Sequence, residues 1–423
     1  MKKINSYSPF QPYHWAYILI SAIMLVSWVL NMDYVRYYLN GWNIGTWNTF
    51  TVSELMINYE GGFVRRGLLG EILFKISELT GYSPRVPILS ICFISYIIVL
   101  WFFLKQFHRH KFIWWLIFTT FLCGMFENFI RKDYLMYTLV IAEIYIARDG
   151  IKTYCQAITI TVISIFGLLL HEAYIFFGVP FVVLMMLRSD NWKGFLSLIF
   201  LIIGVFGVLS FFKGNEEYVR QIMNSWNEFF KEEYIKGAFY YETSITALAW
   251  TTEYAINFHW TMNTMIYTHP WVPGWLVFFL RILFYVLTYY YITNFLYVFR
   301  FKSDFGDLDR WNISALYLFS TVCLLPLFLF LSCDYGRIYQ YAWITTFVIF
   351  LLVPRELISN IFGPKFISVS RTISDGINKI VRPNKLIMVL LLLFMAESMA
   401  LCNPENAFEI SPVGSIITWL GNL

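Results

Sequence analysis

Long apolar runs separated by short polar clusters recur along the whole chain. They fall near residues 14–31, 86–104, 112–128, 133–147, 155–170, 173–187, 194–212, 274–298, 312–331, 338–353 and 386–402. A helix needs about 17–25 apolar residues to cross a bilayer, and most of these runs reach or approach that length. The pattern predicts an all-α, polytopic integral membrane protein with about 11 transmembrane helices, forming a single membrane domain over residues 1–423. Runs 133–147 and 173–187 are short, and Pro180 interrupts the second, so a re-entrant pair could replace two crossings.

Two segments between runs are too long to be simple connectors. In the first, residues 32–85, Tyr59-Glu60-Gly61-Gly62 reads as a tight turn whose glycines permit positive φ and close approach of a backbone or ligand. An amphipathic helix is expected from Arg66, because Leu68, Leu69, Ile72, Leu73, Ile76 and Leu79 recur at helical spacing before Gly81 and Pro84 stop it. In the second, residues 213–273, Tyr218, Ile222, Met223, Trp226, Phe229, Phe230 and Tyr234 share a helical face ending near Gly237. A second helix-like run follows from Thr243 towards Tyr267. Together they read as a helical lid, lying on the bilayer or over a cavity.

Composition and charge agree with the pattern and orient it. The chain is 58% hydrophobic and 14% charged, against roughly 25% charged in soluble domains. With the N-terminus cytoplasmic, the inside segments hold roughly 18 basic residues, six of them from Arg355 to Lys385, against roughly 12 in the longer outside segments. The first apolar run reads as a retained start-transfer anchor. The net charge of +4 then reports orientation and implies no nucleic-acid partner. Six cysteines are scattered singly, without CxxC or Cys/His metal spacing, so no metal site and no cofactor is expected.

This orientation gathers the residues capable of chemistry on one outer face. Arg65 and Arg66 follow the glycine turn; Glu127, Arg131, Lys132 and Asp133 form a short turn; His171 and Glu172 end the fifth run; Asp334, Tyr335, Gly336 and Arg337 lie between the ninth and tenth. Arginines present planar forks of donors suited to phosphate oxygens, so Arg65, Arg66, Arg131 and Arg337, with Tyr335 and Glu172, are candidate substrate or diphosphate ligands. Glu60, His171 and Asp334 are candidate catalytic groups, able to take a proton from an attacking hydroxyl. The bland alternatives are snorkelling arginines, interfacial capping by His171 and Glu172, and a structural Asp334–Arg337 pair. The inside loops leave no room for a nucleotide-binding fold, which favours a lipid-borne diphosphate donor.

An all-helical membrane chain with a large late outer loop (Lys213–Pro273) and outer arginines Arg65, Arg66 and Arg337 resembles the Wzy-type polymerases of bacterial O-antigen and capsular polysaccharide. It resembles, more loosely, the GT-C membrane glycosyltransferases, whose first outer loop carries a catalytic acid, a place Glu60 fills here. The paired early acids of that group are absent, since Asp33 stands alone and Glu60 comes late. The resemblance implies polymerisation of undecaprenyl-diphosphate-linked oligosaccharide units at the outer face of the bacterial inner membrane. It also implies membrane lipids and a chain-length regulator as partners. The rival class is a transporter or flippase of lipid-linked sugars, but the charges well inside runs are few, Glu143, Arg281 and Glu397 each falling off-centre, and the two halves do not match in hydropathy.

Overall fold

A computed structural model describes residues 53–82, 84–109, 131–226, 244–261, 274–298, 307–331 and 335–398, with a few isolated positions besides. Among the described residues the regular structure is entirely helical. Runs 14–31 and 112–128 fall outside them apart from isolated positions. The helix expected after the glycine turn is α1 (Gly67–Thr80), and Gly81 closes it in the left-handed conformation (φ 68°) with its N–H on the Ser77 carbonyl, as a C-terminal glycine should.

The described runs are helices. They are α2 (Arg85–Arg109), α3 (Asp133–Ala147), α4 (Tyr154–Leu170), the pair α5 (Tyr174–Phe177) and α6 (Val179–Leu187), and α7 (Trp192–Phe211). The long late loop contributes α8 (Glu216–Ser225) and α9 (Thr252–Thr261), and then come α10 (Gly274–Val298), α11 (Asp307–Cys323), α12 (Tyr335–Leu352), α13 (Arg355–Ile380) and α14 (Lys385–Ser398). Val86–Gln106 and Trp192–Phe211 are each long and apolar enough to cross a membrane; Tyr154–Leu170 and Arg337–Leu352 are shorter apolar helices.

Departures from the expected runs have local causes. Run 173–187 is split at Gly178, where an added Cβ would sit 2.3 Å from the Tyr174 ring; at Gly167 it would sit 2.5 Å from the same ring. Tyr174 thus fills a slot that two glycines leave open, and Pro180, lacking an N–H, begins the second piece. Run 312–331 is a helix that ends at Cys323, followed beyond Pro326 by a π turn over Leu327–Leu331. Of the expected lid face, Glu216–Ser225 is helical, and residues 227–243 lie outside the described residues apart from Phe229. The segment expected as an inside connector, 355–385, is largely the helix α13, bent where Gly363 takes φ 73° ahead of Pro364.

Neighbours in sequence pack together. Helices α2, α3, α4 and α7 form one group, α10, α11, α13 and α14 another, and α12 joins them by packing on both α11 and α3. Tight packing is visible at that junction, where Phe177 and Tyr341 stack with centroids 4.1 Å apart. The candidate site lies where residues 54–66 meet the ends of α3, α4 and α12.

Candidate functional site

Glu54, a residue the sequence did not single out, is the centre of the site. It is 3% exposed, and four groups from four parts of the chain converge on it: Arg66 Nη1 at 3.4 Å, Lys132 Nζ at 3.4 Å, His171 Nε2 at 3.0 Å and Arg337 Nη2 at 3.5 Å. Burial pushes the Glu54 carboxyl up, but Lys132, Arg337 and His171 outweigh it and hold the group well below the usual carboxylate range. Lys132 also donates to the Leu170 carbonyl at 3.0 Å. Burial nevertheless lowers Lys132 to about 8, outweighing the pull of Glu54 and Glu172 with help from the repulsion of Arg66 and Arg337.

A second carboxylate, Glu172, holds the other side. Arg66 offers it a fork, Nε at 2.8 Å and Nη2 at 2.5 Å, and Arg65 Nη1 adds a contact at 3.3 Å. Burial raises the Glu172 carboxyl, yet Arg66 and Arg65 bring it well below its ordinary value. Arg66 reaches both acids from a left-handed backbone (φ 66°, ψ 3°) at the N-terminus of α1. That conformation costs a non-glycine residue roughly 1–2 kcal/mol, and such strain concentrates at functional sites.

The third acid, Asp133, starts α3 and is 1% exposed. Arg337 bonds it at 3.0 Å and the Tyr341 hydroxyl donates to it. His171 closes the α4 terminus with its Nδ1 accepting the Ala173 N–H at 3.0 Å. Its ring is driven down to about 4, first by burial and then by the charge of Arg66. The imidazole is therefore neutral, with its proton on Nε2 facing Glu54.

The site has a floor and a rim. Glu54, Lys132 and Asp133 are sealed in, whereas the side chains of Arg65, Arg66, Glu172 and Arg337 keep 22%, 20%, 18% and 14% of their surface open. The Nε of Arg65 is buried without a hydrogen-bond partner. His259 of α9 has a buried, unpartnered Nδ1 and is lowered to about 4 by burial and then by Arg66. It belongs to the surroundings of the same guanidinium, and only its polar character could have marked it in the sequence.

The glycine turn supports this rim. Gly62 donates to the Tyr59 carbonyl at 2.9 Å and has φ 119°. The close approach that Gly61 permits is to α8, since an added Cβ would lie 2.7 Å from the Tyr218 carbonyl oxygen. Helix α8 is capped by the Asn215 side chain on the Tyr218 N–H. It is bound to the turn through Trp226 Nε1 on the Met56 carbonyl at 2.8 Å and Asn58 on Ser225 at 2.8 Å.

The structure therefore gathers Arg65, Arg66, Arg337, His171 and Glu172, and sets Arg131 near Asp133 at the start of α3. Glu60 is different. It is 38% exposed and paired with Lys75 at 3.2 Å, an exposed pair away from the buried acids. Asp334 and the side chain of Tyr335 lie outside the described residues. Among the described residues no cluster of His, Cys, Asp or Glu has the form of a metal site. No protein-family model, curated protein or solved structure matches this chain.

Proposed function

We propose that the chain is a polytopic membrane protein of about 11 crossings whose outer-face site binds the diphosphate of a lipid-linked sugar and serves glycosyl transfer in surface-polysaccharide synthesis. The membrane part is supported by what the helices leave bare. Phe200, Leu201, Ile203, Val208 and Phe211 of α7 and Phe93, Ile94, Ile97 and Trp101 of α2 are all exposed, a surface that suits lipid far better than water. The observation that carries the diphosphate reading is the convergence of Arg65, Arg66 and Arg337 on two shared acids. A dianion in a partly dry pocket needs several cations, and guanidinium forks match phosphate oxygens two at a time.

In this reading the incoming diphosphate takes Arg65 and Arg66 from Glu172, while Glu54 and Asp133 keep Arg66 and Arg337 aimed. The acceptor hydroxyl attacks the sugar carbon, the bond to the diphosphate breaks, and the arginines receive the charge on the departing oxygen. Among the described residues Glu172 is the best-placed proton acceptor, since both nitrogens of His171 are engaged and Glu60 is held by Lys75. Freed from its arginines, Glu172 becomes the stronger base.

The test is made in cells of the source organism. Arg65→Lys, Arg66→Lys and Arg337→Lys should each shorten the surface glycan while single units still reach the outer leaflet. Normal chain length in all three would reject the reading. Transport is the rival with an observation in its favour: Glu143 is fully buried in α3 and bonded to Ser164 at 2.7 Å and Tyr174 at 2.8 Å, and ionisable groups inside spans often serve transport. Retention of the lipid-linked unit on the cytoplasmic leaflet would select it.

A further inference from the structure

Beyond the bend at Gly363, helix α13 leaves a second apolar stripe bare. Its first half is ordinary, burying Ile358, Ile361 and Phe362. In the second half the buried positions are polar: Ser370 is 0% and Ser374 2% exposed. Ser370 bonds Ser314 of α11 at 2.7 Å, and Tyr289 of α10 donates to the Ser370 carbonyl at 2.8 Å. Asn378 accepts from Asn294 at 2.9 Å. Phe366, Ile367 and Ile377 pack partly against the protein, while Val369, Ile373 and Ile380 point the other way, 53%, 40% and 85% exposed.

The spacing of Val369, Ile373 and Ile380 puts them on one stripe of a helix. Exposed Lys365 stands one turn before Val369, and exposed Lys379 adjoins Ile380. Segment 355–385 carries six basic residues against two acidic ones. Beyond it the apolar surface continues in Val381 and in Leu386 and Leu390 of α14. A helix held to protein through Ser370, Asn378 and the partly buried Phe366, Ile367 and Ile377, bare on a second apolar stripe and edged with lysine, fits the boundary between acyl chains and headgroups.

We infer that the second half of α13 lies along the cytoplasmic leaflet, with Val369, Ile373 and Ile380 among the acyl chains and Lys365 and Lys379 on anionic headgroups. This rests on the membrane part of the proposed function and is independent of the glycosyl-transfer part. A buried apolar helix face of this kind sits about 5–10 Å below the headgroup boundary. The lysines favour an anionic lipid because each gains attraction near a negative surface.

The test uses the full-length protein, with its native cysteines replaced, in vesicles of phosphatidylcholine with and without phosphatidylglycerol. Nitroxides at 369, 373 and 380 should collide with oxygen and be shielded from a water-soluble nickel chelate, whereas nitroxides at 372 and 379 should meet the chelate. With phosphatidylglycerol the label at 373 should lie deeper, and Lys365→Gln with Lys379→Gln should remove that shift. A label at 203 on α7 reports the membrane reading separately. Water exposure at 203 would overturn that reading; lipid at 203 with water at 369, 373 and 380 would overturn this inference alone. Shielding of the α13 stripe from both reagents would mean that protein, such as a second copy, covers it, and would equally overturn the inference. If the cysteine-free chain does not fold, a benzophenone amino acid at position 373 of the native chain should crosslink to lipid, and crosslinking to protein instead would count against it.

Discussion

His171 directs its Nε2 hydrogen to Glu54 at 3.0 Å while its Nδ1 accepts the Ala173 N–H at 3.0 Å. With both ring nitrogens engaged, the histidine orients a buried acid and does not offer a free lone pair to substrate. Its ring titrates near 4, below the ordinary value of 6.5, through burial and the nearby Arg66. The unfolded chain therefore takes up a proton that the folded chain refuses, and stability falls as pH drops from 6.5 towards 4. The scale is on the order of 3 kcal/mol. Glu54 and Glu172, held low by their cations, add a loss below pH 4.5 of the same sign. Thermal unfolding in detergent should show a midpoint that falls steadily between pH 7 and 4.5, and His171→Gln should flatten that part of the curve. A midpoint independent of pH in the wild type would contradict the assignment.

Glu54→Gln should be the most destabilising single change in the site. It leaves Lys132 and two arginines around a neutral amide in a sealed pocket, and breaking a buried ion pair from one side costs about 3–5 kcal/mol. Lys132→Met in the same chain should recover much of the loss, because it removes the most deeply buried of the stranded cations. Retained protein in the membrane and the unfolding midpoint measure both variants. Equal damage in the single and double variants would show that the pair is not coupled.

Arg66 separates strain from function. Arg66→Gly relieves a left-handed backbone worth roughly 1–2 kcal/mol but removes the fork on Glu172 and the contact to Glu54. Arg66→Lys keeps a charge but loses the planar fork. On the proposed function both should abolish long glycan chains, with a rate loss of about a hundredfold for about 3 kcal/mol of lost transition-state contact. Wild-type chain lengths from the glycine variant would reduce Arg66 to a structural role.

Gly61→Ala should lift α8 from the glycine turn, since the new methyl meets the Tyr218 backbone at 2.7–2.8 Å. Overpacking of this kind typically costs about 1–3 kcal/mol. Faster proteolysis within residues 213–226 would report it. Tyr218→Ala should not rescue the variant, because the obstacle is main chain. At Gly62 the obstacle is the Tyr218 ring, but φ 119° forbids alanine there on its own account.

Much of the scaffold was legible in the sequence because period and punctuation agree. Gly81 and the leucine spacing mark α1, and Pro180 marks the broken run. Glu54 was not legible. It lies upstream of the arginine-rich stretch, and nothing local distinguishes a carboxylate destined for 3% exposure from a solvated one. Lys132 and Asp133 were visible as a polar turn, but their union with Arg337 depends on how α3 and α12 pack. The second half of α13 was read only as part of a basic inside segment, since Gly363-Pro364 and the interspersed polar residues mask the helical spacing of Val369, Ile373 and Ile380.

The bond from Arg337 to Asp133 spans 204 positions of sequence. At synthesis rates of about 5–20 residues per second, that separation is roughly 10–40 seconds of translation. For that interval α3 exists without the cation that Asp133 ends up sharing, and the pocket around Glu54 lacks one of its four partners. The site is thus completed only when α12 arrives from the ribosome. A chain that stops before that point holds Glu54 with Arg66, Lys132 and His171 alone, so the pocket reaches its full charge balance only late in synthesis.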